Sequence, residues 1–125
     1  MRLRGEAHGA ERSSARVSAD RPPSLFSAEV RLDGGRGVVS ISGELDLVSV
    51  PVLLACVATL SADVDDVVLD LGELRFIDAS GLHAIDASAQ RLRTSGGSLV
   101  LRAPQPPVRR IFDLLGFERT VLIQP

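Results

Sequence analysis

The chain has 125 residues and a formal net charge of −2, enough for one domain and too few for two separate cores. Its basic residues are all Arg without a basic stripe, and its only aromatic residues are four Phe. This composition argues against nucleic-acid binding and against stacking platforms for bases or sugars. The single cysteine, Cys56, excludes an intrachain disulfide, and no apolar run approaches the roughly 20 residues that span a bilayer. We therefore expect a cytoplasmic protein without direct membrane insertion.

Residues 1–24 are polar and show no apolar periodicity, so we expect them to form a disordered tail. From Leu25 to Leu32 apolar and polar residues alternate, which predicts a strand with one buried face. The Asp-Gly-Gly string at 33–35 is a turn signal, and a second apolar run ends at Gly43. The sequence therefore predicts an antiparallel hairpin.

Three units of helix and strand follow the hairpin. Ser49 and Pro51 mark the start of an amphipathic helix with Cys56 on its buried stripe, and the apolar run at 67–71 predicts a strand. A helix between two such strands makes them parallel. The predicted order β-β-α-β-α-β-α-β describes an α/β fold, a mixed sheet with helices packed on it. The last helix, from Pro106 to Gly116, is expected to bury Val108, Ile111, Leu114 and Leu115.

The sequence offers little for enzymatic chemistry. His83 has no Cys or second His at ligand spacing, which favours a lone surface histidine, and no Gly-x-Ser-x-Gly elbow is present. The acidic group 63–66 lacks the glycine of a calcium loop and carries Leu74 where that loop needs glutamate. We therefore expect no catalytic centre, no metal site and no cofactor, and we interpret 63–66 as a solvated turn.

Two strings lie where strands end. Gly-Glu-Leu-Asp-Leu ends the second strand, and Phe-Ile-Asp-Ala-Ser-Gly-Leu leads from a later strand into a helix. The carboxyl ends of neighbouring parallel strands meet at one edge, so Glu44 and Asp46 are expected near Asp78 and Ser80. Asp78 and Ser80 are also good helix caps, and the residues alone leave capping and a functional hydroxyl both open.

The two strings in this order resemble the STAS domain, and in particular the anti-sigma factor antagonists of bacteria. The resemblance covers roughly residues 25–124 and includes the Leu-Leu-Gly-Phe string at 114–117. It implies a STAS domain over residues 25–125. In that family a partner that is both kinase and anti-sigma factor phosphorylates the serine that aligns with Ser80. The preceding family Ser or Thr is Ala79 here, so one hydroxyl is missing and the key serine is kept.

The resemblance further implies a function. It suggests a non-enzymatic anti-sigma factor antagonist that binds an anti-sigma factor serine kinase, frees a sigma factor and is switched off by phosphorylation of Ser80. STAS domains also serve as accessory subunits of membrane transporters or as parts of stress-signalling scaffolds, and a transporter subunit would not need Ser80 modified. Gly81 is expected to let a partner approach the backbone. The partner-binding residues implied are Glu44, Asp46, Asp78, Ala79 and Gly81.

Overall fold

The computed structural model describes residues 14–18 and 25–125, which form one mixed sheet and three α-helices. The six strands lie in the sheet in the same order as in the chain. The strands are β1 (Ser14–Ser18), β2 (Phe26–Asp33), β3 (Arg36–Leu45), β4 (Asp66–Ile77), β5 (Ser98–Arg102) and β6 (Leu122–Gln124). The helices are α1 (Val50–Leu60), α2 (Ala79–Thr94) and α3 (Pro106–Leu115), with a 3-10 turn at Phe117–Arg119.

The predicted hairpin is formed by β2 and β3, which pair antiparallel. Its turn needs two residues with positive φ, and Gly34 and Gly35 supply them at 61° and 85°. Strand β3 does not end at Gly43 as expected but continues to Leu45. Gly43 has φ of 92° and lies at a register shift, and a Cβ there would collide with the carbonyl of Leu25. The glycine therefore marks a bulge within the strand rather than its end.

Strands β3 to β6 are parallel neighbours, joined in turn by α1, α2 and α3. Helix α1 packs on α2, and α2 packs on β4 and β5. The predicted α/β class and the order of a hairpin followed by βα units are confirmed. Because β3 and β4 are parallel neighbours, both of their carboxyl ends reach the same edge of the sheet.

Strand β1 lies inside the expected disordered tail and corrects that expectation for five residues. Ser14–Ser18 pairs antiparallel with β2, with Ala15 opposite Val30 and Val17 opposite Ala28. The edge of β2 offers unpaired backbone groups, and a short segment with two apolar positions satisfies them. A pattern of five residues is too short to stand out from a polar context. The remaining residues of 1–24 lie outside the described part of the chain.

The core is mainly aliphatic, with Phe26 and Phe112 fully buried. In α3 the expected inward stripe is partly wrong, since Leu114 and Leu115 are 78% and 58% exposed. Phe112 is buried instead and stacks on Phe117 with 5.2 Å between the ring centroids. With Phe112 facing inward, the two leucines of α3 lie on the surface.

Candidate functional site

The ends of β3 and β4 lie side by side, as the sequence predicts. Leu45 pairs with Ile77 in the parallel register. The next residue, Asp78, donates its backbone N–H to the carbonyl oxygen of Leu45 at 3.2 Å. Helix α2 therefore begins directly against the end of β3.

Asp78 is the N-cap of α2. Its backbone is extended, and its Oδ1 accepts a hydrogen bond from the N–H of Gly81 at 3.0 Å. Ser80 is the second helical residue, is half-buried, and its Oγ makes no hydrogen bond with any described residue. Of the two capping candidates, only Asp78 caps the helix. The hydroxyl of Ser80 is left available for another role.

The loop between β3 and α1 is held by its own side chains. Oδ1 of Asp46 accepts hydrogen bonds from the N–H groups of Val48 and Ser49 at 3.1 and 3.2 Å. Ser49 precedes α1 as predicted, but its Oγ donates to the carbonyl oxygen of Glu44 at 3.0 Å rather than capping the helix. These bonds leave Leu47 and Val48 on the outside, 74% and 55% exposed.

Ser80 lies in a small cavity of about 210 Å³ that it lines with Ala79 and His83, here named the Ser80 cavity. A larger cavity of about 690 Å³, here named the α2 groove, shares Ala79 and His83 with it. The walls of the α2 groove are mostly apolar, whereas two of the three residues that line the Ser80 cavity are polar. The remaining residues that line the α2 groove are Leu82, Asp86, Ala87, Gln90, Leu115 and Phe117.

The acidic residues expected around Ser80 surround it only in part. Asp78 and Asp46 lie on the segments that meet here, but their carboxylates bond to backbone N–H groups, and neither residue lines the Ser80 cavity or the α2 groove. Glu44 pairs with Phe76 across β3 and β4 and also lines neither cavity. The strand ends meet as predicted, the carboxylate of Asp46 holds its loop, and that of Asp78 caps α2.

Gly81 lies at a packed contact within the fold. It is buried, and a Cβ added there would lie 2.8 Å from Cγ1 of Ile77 and 2.9 Å from the carbonyl oxygen of Leu45. The missing side chain of Gly81 lets the first turn of α2 pack on the end of β3. Packing within the domain is thus one reason for a glycine here, and the approach of a partner to this backbone stays a prediction.

Sequence reasoning placed Leu47 in the docking loop and took His83 as a lone surface histidine, but it gave no role at this edge to His83, Val48 or Phe117. His83 follows Ser80 at a spacing of three residues, which helical periodicity alone could have flagged. Leu47 and Val48 form an apolar pair in a polar loop, another visible signal. Phe117 reaches the α2 groove only through the packing of α3, which no local pattern encodes.

Several other features bear on chemistry. In residues 14–18 and 25–125, no group of three or more His, Cys, Asp or Glu could hold a metal ion. No helix in that same part of the chain is long and apolar enough to cross a bilayer.

Burial raises the pKa of the Cys56 thiol to about 11, as expected of a core residue rather than a nucleophile.

Comparison of the sequence with those of known proteins finds relatives that are named as anti-sigma factor antagonists. BtrV of Bordetella bronchiseptica, named as an anti-sigma factor antagonist, is 44% identical over 64 residues, 48% of this chain. That match spans 55% of BtrV, so the alignment covers just over half of its length. The anti-sigma-B factor antagonist of Bacillus subtilis is 30% identical over 80 residues, which cover 64% of this chain and 73% of that protein.

The solved structures that match this chain also include anti-sigma factor antagonists. An anti-sigma factor antagonist from Mycobacterium paratuberculosis matches with a TM-score of 0.74 and 30% identity, over 83% of this chain and 89% of that one. SpoIIAA in its unphosphorylated form shares the fold, with a TM-score of 0.67 and 23% identity over 77% of this chain and 86% of that one. The STAS domain model matches residues 27–125. With most of its length covered by that model, the chain belongs to the STAS domain family.

Proposed function

We propose that this protein is an anti-sigma factor antagonist that binds an anti-sigma factor kinase through the surface around Ser80 and so frees a sigma factor. Phosphorylation of Ser80 by that kinase ends the interaction. The relatives named above as anti-sigma factor antagonists support this proposal. SpoIIAA, which shares the fold, has also been solved in a phosphorylated form.

One observation carries the assignment to Ser80. A serine in the first turn of a helix is most often a cap, and a capping hydroxyl is occupied by backbone N–H groups. Here Asp78 accepts the N–H of Gly81, and Ser80 has no partner among the described residues. A kinase can therefore bind this hydroxyl without breaking any hydrogen bond among the described residues.

The chain needs no catalytic group for this switch. In the transfer step, Ser80 Oγ attacks the γ-phosphorus of ATP, the new Oγ–P bond forms as the bond to ADP breaks, and the hydroxyl proton leaves to a base of the kinase. The phosphate adds a charge of about −1.5 to −2 at pH 7. At the start of α2 the helix dipole favours that charge by about 0.3–1 kcal/mol, and repulsion from Asp46 and Asp78 offsets this gain, so the stability of the fold should change little.

At the interface the same charge is costly. A dianion must lose water where a neutral hydroxyl was accommodated, and an unfavourable charge placement across an interface costs several kcal/mol. Each 1.4 kcal/mol is a factor of ten in affinity, so phosphorylation should weaken binding by about a hundredfold or more. Stability changes little and affinity changes greatly, which is the behaviour of a binding switch.

The proposed docking surface joins Ser80 and Ala79 to the loop between β3 and α1. Leu47 and Val48 supply exposed apolar side chains on this loop. The hydrogen bonds of Asp46 and Ser49 hold the turn before any partner binds, which lowers the entropy lost on association. Exposed apolar side chains with a polar rim are typical of the centre of an interface. Glu44, Asp46 and Asp78 form the acidic part of this surface, and Gly81 lies in the same first turn of α2.

The test begins with the kinase that co-purifies with Ser80→Ala, produced in pure form. Calorimetry should give the same affinity for wild type and Ser80→Ala, and an affinity at least about tenfold lower for Ser80→Asp, because one carboxylate imitates a phosphate only partly. With ATP, mass spectrometry should locate one phosphate on Ser80 in wild type and none in Ser80→Ala.

Thr94→Ala is the matched control, because Thr94 is an exposed hydroxyl residue at the other end of α2. It should bind and accept phosphate like wild type. Label that persists in Ser80→Ala would show that the wrong residue has been chosen. Tight binding of Ser80→Asp would refute the charge mechanism. A Ser80 that no co-purifying kinase modifies would favour the accessory-subunit function instead.

A further inference from the structure

We propose that His83 is the positioning residue for the phosphate on Ser80, with its imidazolium donating a hydrogen bond to a phosphate oxygen. This inference rests on the phosphorylation of Ser80 proposed above. It gives a role to a histidine that belongs to no metal-binding group of three or more ligands in the described part of the chain.

The placement of the two side chains is the first argument. Ser80 and His83 are three residues apart on α2, so their Cβ atoms are neighbours at about 5–6 Å. Helical side chains lean toward the N-terminus, so a residue covers the turn that precedes it. His83 therefore extends over the turn that holds Ser80, and the two residues line the Ser80 cavity together with Ala79.

The charges around the site are the second argument. Among the residues that line the Ser80 cavity and the α2 groove, His83 is the only one that can carry positive charge. Asp86, on the same helix, is the only acidic residue lining them, and the opposite wall presents the apolar Leu115 and Phe117. An arriving phosphate therefore finds one cationic donor within reach, on an exposed side chain that is free to turn toward it.

The consequence is a phosphate held at a fixed position over the first turn of α2. The dianion then draws on the imidazolium as well as on the helix dipole, which keeps the phosphorylated protein folded without a rearrangement. A kinase or a phosphatase that binds this surface therefore meets a phosphate held in one orientation rather than one that rotates freely.

The experiment uses the full chain with phosphoserine installed genetically at position 80, so that no kinase is needed. The pH midpoint of the ³¹P chemical-shift titration is measured for wild type, His83→Gln and His83→Arg. Near pH 6 the phosphate takes up its second proton. Opposite charges about 5–6 Å apart in a water-like medium lower the midpoint by about half a pH unit. We expect a midpoint in His83→Gln about half a pH unit above wild type, and His83→Arg should restore the low value.

Arg91→Gln is the matched control, because it removes a charge from the same helix about 16 Å away, beyond the screening length. It should leave the midpoint at the wild-type value. Coincident midpoints for wild type and His83→Gln would overturn the inference, as would an equal rise in Arg91→Gln. Because phosphoserine is installed without a kinase, a failure to phosphorylate Ser80 would refute the proposed function and leave this result unaffected.

Discussion

Gly81→Ala tests the contact that fixes the start of α2. The added methyl group would lie 2.8 Å from Cγ1 of Ile77, 2.9 Å from the carbonyl oxygen of Leu45 and 3.0 Å from its Cγ. The carbonyl belongs to β3 and cannot move aside without disturbing the sheet. Forcing a methyl group into such a space costs about 1–3 kcal/mol.

A gain partly offsets that cost, because alanine favours a helix interior over glycine by about 1 kcal/mol, and by less in the first turn. The net loss of stability should be about 1–2 kcal/mol. For a domain of this size that corresponds to a fall in Tm of roughly 4–8 °C. Urea and thermal unfolding followed by far-UV circular dichroism measure both quantities.

Ser80→Ala is the control for Gly81→Ala, because it alters the same turn and adds no atom to a crowded space. Its free energy of unfolding should stay within about 0.5 kcal/mol of wild type. If Gly81→Ala were as stable as Ser80→Ala, the start of α2 would not be locked against Leu45. The rigid presentation of the Ser80 hydroxyl would then lose its physical basis.

Three further changes test local features of the fold. Asp78→Ala should cost about 1 kcal/mol of stability in urea unfolding by removing the cap, whereas Asp78→Asn should retain it, and equal losses would contradict the capping role. Ala103 has a left-handed backbone with φ of 57°, so Ala103→Gly should stabilise the protein by about 0.5–1 kcal/mol in the same assay, and a loss would be the contrary result. Burial raises the pKa of Cys56 to about 11, so iodoacetamide at pH 8 should label this thiol only in denaturant, and rapid labelling of the folded protein would show an open core.

Much of the fold could be predicted from short sequence patterns. The Asp-Gly-Gly string fixes the hairpin turn because only residues that tolerate positive φ can occupy it, and Gly34 and Gly35 do so. Pro51 lies in the first turn of α1, where proline loses no hydrogen bond. These elements are predictable because their cause lies within a few residues of the chain.

Other elements depend on contacts between distant segments. Strand β1 forms because β2 has a free edge, and its own pattern is too short to predict it. The rotation of α3 follows from its packing on β4, which buries Phe112, so the expected burial of Leu114 was wrong. At the candidate site, the sequence singled out Ser80 as a candidate but could not decide whether it caps α2. That question is answered by the geometry of the Asp78 side chain.

The identical order of the strands in the chain and in the sheet has a consequence for synthesis. Val39 pairs with Leu69, and Leu69 with Leu101, so each strand joins the one made just before it. No strand has to be inserted between two that have already paired, which keeps loop-closure costs small at every step. As the chain leaves the ribosome, β3, β4 and α2 emerge before α3 and β6. The turn that carries Ser80 can therefore form before translation ends. Only Leu115 and Phe117, which line the α2 groove from the C-terminal segment, are added later.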